Sequence, residues 1–280
     1  MTNSTDCTAG LAPRRAYVQA GGTRLSYLEW GQQGRPLMLL HGITSTARAW
    51  WRAAPTFVAQ GYHVYALDMP GHGESDETDD HRIENIAALA GAAMRELDLA
   101  GAAMIGHSWG GATALVLASA DEGPELLSRA ALVDPALRMS AAWGAERLPT
   151  YLAGLGQPPE ETLPAVRANN PDWHECDIFW KGEALQLCRP AAVRGLFIGS
   201  GEWNLTARFA QAEIPLLLLV ADPRYTVIAP DVLAAAERAL RPGLGRVVHL
   251  PGTTHNMLRG DSYKATMAAL TAWLAETEEN

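Results

Sequence analysis

Gly106-His107-Ser108-Trp109-Gly110 places a serine between two glycines, just after the apolar run Ala102 to Ile105. It opens a stretch rich in Ala, Leu and Val, Trp109 to Ala120. A serine on a strained strand-to-helix turn projects its hydroxyl outward, and flanking glycines allow the close backbone approach that such a turn needs. The helix starting there favours negative charge at its N-terminus. This is the setting of a nucleophile for an acyl carbon. A serine hydroxyl attacks poorly until a base removes its proton, so the chain must supply one.

Eight histidines are available. His41, His72 and His107 sit within glycine-containing motifs, and His63, His81 and His174 have no apolar strand before them. His255 differs, because Pro251-Gly252-Thr253-Thr254-His255-Asn256-Met257 follows the run Val247 to Leu250 and precedes a helical segment. A structural loop histidine is the plainer alternative, but the serine precedes it in the chain order of a strand-edge triad. An imidazole in this role needs a buried acid on its other nitrogen to hold the tautomer. Two aspartates qualify by position. Asp134 closes Ala130 to Val133, and Asp222 follows Leu216 to Ala221. Each could instead cap a turn.

The elements that must position these residues are legible in the apolar runs. Ala16 to Ala20 and Arg24 to Trp30 flank Gly21-Gly22 and read as a hairpin. Pro36 to Leu40, Val64 to Leu67, Ala102 to Ile105, Ala130 to Val133, Leu216 to Val220 and the weaker Val247 to Leu250 follow. Strands apolar on both faces belong to a parallel sheet covered by helices. Ile83 to Leu97, Trp109 to Ala120, Val232 to Leu240 and Tyr263 to Leu274 supply those helices. The pattern predicts a three-layer α/β fold, with a mostly parallel eight-stranded sheet and helices on both faces. In such a sheet the strand ends collect at one edge, where loops from distant positions meet.

Between Asp134 and Ile214 the alternation stops. That stretch carries Pro149, Pro158, Pro159, Pro164, Pro171 and Pro190, with Trp143, Trp173, Trp180 and Trp203. It is expected to form short helical pieces inserted as a lid. The division is therefore a core over 16–134 and 214–280, a helical cap over 135–213, and a flexible segment over 1–15.

The chain has 280 residues and a formal net charge of -9, with 48% hydrophobic residues. That composition supports a sizeable core and argues against nucleic acid, which demands clustered Lys and Arg. The first fifteen residues lack the apolar stretch of a secretory signal, and Pro215 to Ala221 is too short to span a bilayer. Three scattered cysteines, Cys7, Cys176 and Cys188, read as reduced thiols in a cytoplasm, a Cys176–Cys188 pair being the alternative. The acidic stretch Glu74 to His81 reads as a solvated loop, not a metal site.

Taken together, the motifs resemble the α/β-hydrolase family. His41-Gly42 follows the third strand, Asp68-Met69-Pro70-Gly71-His72-Gly73-Glu74-Ser75 follows the fourth, and the serine elbow and late histidine come next in the family's order. The resemblance implies an oxyanion hole from the backbone N–H groups of Ile43 and Trp109, with Asp68 and His72 in structural roles. It leaves the acid open, since related proteins use both strand ends. Val133-Asp134-Pro135-Ala136-Leu137-Arg138-Met139 resembles the haloalkane dehalogenase subgroup, which favours Asp134 over Asp222. Those enzymes attack with a carboxylate, whereas serine at 108 forms an acyl-enzyme.

The expected activity is cofactor-free and metal-free hydrolysis of a small apolar or aromatic ester or lactone. Ser108 is the expected nucleophile, His255 the base, and Trp143, Trp173, Trp180, Trp203, Phe179 or Phe197 the candidate pocket lining, ordinary lid core being the expected place of most of them. Carbon–carbon bond hydrolysis, amide cleavage and haloperoxidation would use the same triad. A ligand receptor on the same fold is the alternative from another class.

Overall fold

The computed structural model describes Cys7 and residues 12–276. Each apolar run coincides with a strand or part of one, the last extending one residue past its strand at Leu250. The first half of the chain runs β1 (Arg14–Ala20), β2 (Thr23–Trp30), β3 (Arg35–Leu40), α1 (Ala53–Ala59), β4 (Tyr62–Leu67), α2 (Ile83–Glu96), β5 (Ala102–His107), α3 (Trp109–Ala118), α4 (Gly123–Leu126) and β6 (Leu127–Val133). An inserted stretch holds β7 (Arg138–Met139), α5 (Ala141–Leu152), α6 (Pro159–Asn169), α7 (Glu175–Leu187), α8 (Pro190–Arg194), β8 (Trp203–Asn204) and α9 (Arg208–Gln211). The chain then returns through β9 (Leu216–Val220), α10 (Pro230–Ala239), β10 (Gly245–His249) and α11 (Ser262–Ala275).

Eight strands form one sheet in the order β1-β2-β4-β3-β5-β6-β9-β10. β2 runs antiparallel to β1 and β4, and the other neighbouring pairs are parallel. Successive side chains of a strand face opposite sides, so a strand buried on both faces feeds two cores. Met38, Leu40, Leu216 and Leu218 join one core, with α2, α3 and α10 packed on it. Leu37, Leu39, Leu217 and Leu219 join the other, covered by α1 and α11. The three layers are those the apolar pattern predicts. α1 has seven residues and contains Pro55, too short for the periodicity that reveals the longer helices.

The insertion between β6 and β9 is helical; Pro159 and Pro190 sit in the first turns of α6 and α8, whereas Pro149 and Pro164 lie inside α5 and α6. It also contains one small pairing the sequence reading lacks. Arg138 and Met139 pair antiparallel with Asn204 and Trp203, below the length at which alternation is visible. Val166, Ile178 and Leu185 give α6 and α7 a small core of their own.

Two expectations at the N-terminus need correction. β1 begins at Arg14, two residues before the predicted strand, and Cys7 is joined to Cys176 by a disulfide. The reading of three reduced thiols therefore fails for two of them, and Cys188 alone is a free, buried thiol. With a sequence separation of 169 between the two partners, spacing carried no sign of the pairing. Cys7 stands seven positions before Arg14, the start of β1, enough chain to span about 24 Å and reach α7. The remainder of the expected flexible segment, residues 1–6 and 8–11, lies outside the described residues.

Candidate active site

Ser108 stands between β5 and α3 with φ 54° and ψ -115°, a conformation that non-glycine residues rarely adopt. The turn is held by close backbone contacts. A Cβ on Gly106 would lie 2.2 Å from the Gly110 carbonyl oxygen, and one on Gly110 would lie 2.4 Å from that of Leu40. Only glycine fits at either end of the motif.

His255 lies in the loop from β10 to α11, and the parallel sheet brings that loop to the elbow. Its Nε2 is 3.0 Å from Ser108 Oγ, and its Nδ1 is 2.7 Å from Asp134 Oδ2. Asp134 caps β6 at φ 42°, a second left-handed residue at this edge. Its carboxylate is fully enclosed: Oδ1 accepts from the Ala221 N–H at 3.1 Å and the Thr226 hydroxyl at 2.6 Å, and Oδ2 also accepts from the Val227 N–H at 3.1 Å. Burial alone would push this carboxyl up, but the bonds and charge of His255, with those of Thr226 and the Ala221 N–H, hold it below the ordinary range.

Asp222 ends the neighbouring strand β9 and faces another way. Its oxygens accept from Arg224 Nε at 2.8 Å and from the Gly252 N–H at 2.9 Å. The Arg224 side chain, with the Gly252 and Arg224 N–H groups, holds it well below the usual carboxylate range. The structure thus brings Asp134 to His255 and gives Asp222 a turn to brace.

Trp109 follows Ser108 directly, and Ile43 lines the same cavities as Ser108. Trp109 opens α3, so its N–H has no acceptor one turn back in the helix. Ile43 borders both cavities described below. Its loop lies tight against the elbow, since a Cβ on Gly42 would sit 3.0 Å from His107 Nδ1 and 3.2 Å from Ser108 Cβ. Two buried imidazoles fasten this loop to the one after β4. His41 Nε2 accepts from the Met69 N–H at 2.9 Å, and His72 Nε2 accepts from the Thr44 N–H at 3.3 Å. Burial holds His41 down to about 4 and His72 down to about 3, so both stay neutral and keep accepting. Asp68 accepts from the Ala47 N–H at 2.7 Å and pairs with Arg15 at 2.8 Å.

Two cavities meet at Ser108. One, of about 230 Å³, counts Thr44, Ser45, Asn170, Lys181 and Arg259 among its polar lining, with Trp173. The other, of about 190 Å³, is lined mainly by apolar groups including Trp143, Leu196, Phe197 and Trp203. Phe197 therefore borders the site, whereas Phe179 is 44% exposed and Trp180 borders neither cavity. In the acidic stretch, Asp76 pairs with Arg24 and Asp80 with Arg82. Among the described residues no group of His, Cys, Asp and Glu is arranged to hold a metal ion, and no helix is long and apolar enough to cross a membrane.

Sequence reasoning missed four residues here. Thr226 and Lys181 sit in segments without a motif, and Arg259 lies four residues past His255 with nothing to mark it. His107 was visible inside the elbow, but its bond to the His255 carbonyl at 2.8 Å depends on where that loop returns.

Comparison with known proteins bears on the fold. Residues 35–172 match the model described as the alpha/beta hydrolase fold. The chain is similar to N-formylmaleamate deformylase of Pseudomonas putida, with 29% identity over 90% of this chain and 93% of that protein. A non-heme chloroperoxidase of Streptomyces lividans is 40% identical, but over 32% of this chain and only a third (33%) of that protein's length. The solved structure of N-formylmaleamic acid deformylase from Pseudomonas putida S16 superposes with a TM-score of 0.74 at 25% identity, covering 91% of this chain and all of that one.

Proposed function

The chain belongs to the α/β-hydrolase fold family, and from that premise we propose that it is a serine hydrolase acting on a carboxylic ester or lactone through an acyl-enzyme at Ser108. The observation that carries this reading is the continuous line from Ser108 Oγ through both imidazole nitrogens of His255 to Asp134 Oδ2.

Ser108 Oγ attacks the acyl carbon while its proton passes to His255 Nε2. The developing oxyanion is held by the N–H groups of Ile43 and Trp109, donors worth several kcal/mol each when aimed at that charge. The tetrahedral species collapses, His255 returns the proton to the leaving oxygen, and the alcohol departs. Water then attacks the acyl-enzyme with the same base and releases the acid. Asp134 stays ionised, fixing the tautomer and stabilising the imidazolium. Residues 135–213 serve as the cap that closes this site over a small molecule, with the apolar cavity taking the apolar or aromatic part. Work in the cytoplasm would require the Cys7–Cys176 bond to be reduced there.

Amide hydrolysis by the same residues is the second reading, favoured by the similarity to the deformylase over nearly the whole chain. Either way Ser108 is the covalent centre. A fluorophosphonate should label the wild-type protein at Ser108 and spare Ser108→Ala, whose turnover of short aryl esters should vanish. Labelling at another residue would overturn the assignment.

A further inference from the structure

Two cations line the 230 Å³ cavity, and among the described residues neither forms an ion pair with a carboxylate. Lys181 of α7 donates from Nζ to the Thr44 carbonyl at 2.7 Å and to Thr44 Oγ1 at 2.9 Å. Arg259 is 7% exposed; one terminal nitrogen donates to Ser45 Oγ at 3.3 Å, and its guanidinium carbon lies 4.5 Å from the centre of the Trp173 ring. These bonds leave donors on both groups unused. Buried Asp177 attracts Arg259 electrostatically, but one of its oxygens accepts from Trp51 Nε1 at 2.9 Å and it forms no ion pair with either cation. Enclosing a cation without a counter-charge is costly. Burial, then the charge of Arg259, holds the Lys181 ammonium down to about 7. Folding has kept two such groups in the cavity that opens onto Ser108.

We propose that this cavity is a carboxylate subsite, so that the acyl substrate attacked at Ser108 carries a second, ionised carboxyl group. The planar fork of Arg259 matches a carboxylate in two-point fashion, and Lys181 adds a point charge from the facing helix. Trp173 backs the guanidinium and limits its orientation. The opposite cavity, with Trp143, Phe197 and Trp203, receives the uncharged remainder. The substrate is then polar at one end and apolar at the other, with the scissile bond between. This inference rests on the serine-hydrolase reading for its chemistry, but binding of the anion does not require that chemistry.

Mono-4-nitrophenyl succinate and its methyl ester differ only in the free carboxylate. The wild type should favour the half-ester by about tenfold or more in kcat/KM, as expected for charge-assisted bonds. Arg259→Gln and Lys181→Met should each lower that preference by about tenfold, chiefly through KM. Arg259→Lys, which keeps the charge but loses the fork, should fall between, and it serves as the second variant if Arg259→Gln fails to fold. Titration calorimetry on Ser108→Ala should detect succinate, and adding Arg259→Gln should abolish it. Equal or faster turnover of the methyl ester, with Ser108 still labelled by fluorophosphonate, overturns the subsite and leaves the hydrolase reading intact. Absent labelling with succinate binding that depends on Arg259 supports the subsite and overturns the serine chemistry. Tighter binding of inorganic phosphate than of succinate overturns the assignment to carboxylate.

Discussion

The Nε2–H of His107 donates to the backbone carbonyl of His255 at 2.8 Å, tying the residue before the elbow serine to the loop that carries the imidazole facing it. Burial, then the neighbouring charge of His255, holds His107 down to about 3, so its ring is neutral and its proton stays on the nitrogen that meets the carbonyl. The two rings lie 4.9 Å apart. Small errors in placing a base against a nucleophile are expensive in rate.

His107 is therefore a positioning residue. His107→Phe should lower kcat by about ten- to a hundredfold with little change in KM, and slow fluorophosphonate labelling of Ser108 in parallel. His107→Gln, which can present an N–H to the same carbonyl, should recover part of the rate. Equal losses in both variants would point to packing alone.

The two aspartates should separate cleanly. Asp134→Asn keeps the shape but removes the acceptor that fixes the His255 tautomer, and kcat should drop by up to about four orders of magnitude, the size found in the best-studied protease triad. Asp222→Asn weakens the brace between Arg224 and the Gly252 turn, so Tm should fall modestly while kcat changes far less. Stopped assays and thermal melts on the two folded variants decide it, and a dead Asp222→Asn with an active Asp134→Asn would reverse the assignment.

The pH dependence has two limbs with different owners. His255 accepts a proton only when neutral, so kcat/KM should fall for every substrate on acidification. The upper limb belongs to Lys181. It is charged below about 7 and loses that charge above, so KM for an anionic half-ester should rise with pH through that range while KM for the methyl ester stays flat. Arg259 stays charged, burial pushes the Cys188 thiol up to about 12, and His41 and His72 stay neutral. Lys181→Met should remove the upper limb and leave the lower one.

Breaking the Cys7–Cys176 bond releases a long loop in the unfolded chain, an effect of about 2–4 kcal/mol for typical disulfides. Dithiothreitol should lower the Tm of the wild type and leave that of Cys7→Ser unchanged. A wild-type Tm insensitive to reductant would mean the bond does not form in solution.

The layers, the elbow and the late histidine were legible in the residues themselves because each depends on local order. A both-faces-buried strand reads as a continuous apolar run, as Leu216 to Val220 does. The turn at Ser108 demands glycine at 106 and 110, so its geometry is written in five consecutive letters. The choice between Asp134 and Asp222 was not written that way. The two follow adjacent parallel strands, β6 and β9, and only a subgroup resemblance favoured Asp134; the direction of each side chain decides, with Asp134 Oδ2 meeting His255 Nδ1. Tertiary structure alone also joined Cys7 to Cys176 and set Lys181 beside Arg259 in one cavity. Such partners lie far apart in the chain, and no local propensity records them. They meet because a parallel sheet gathers its loops at one edge and the inserted helices fold back over it.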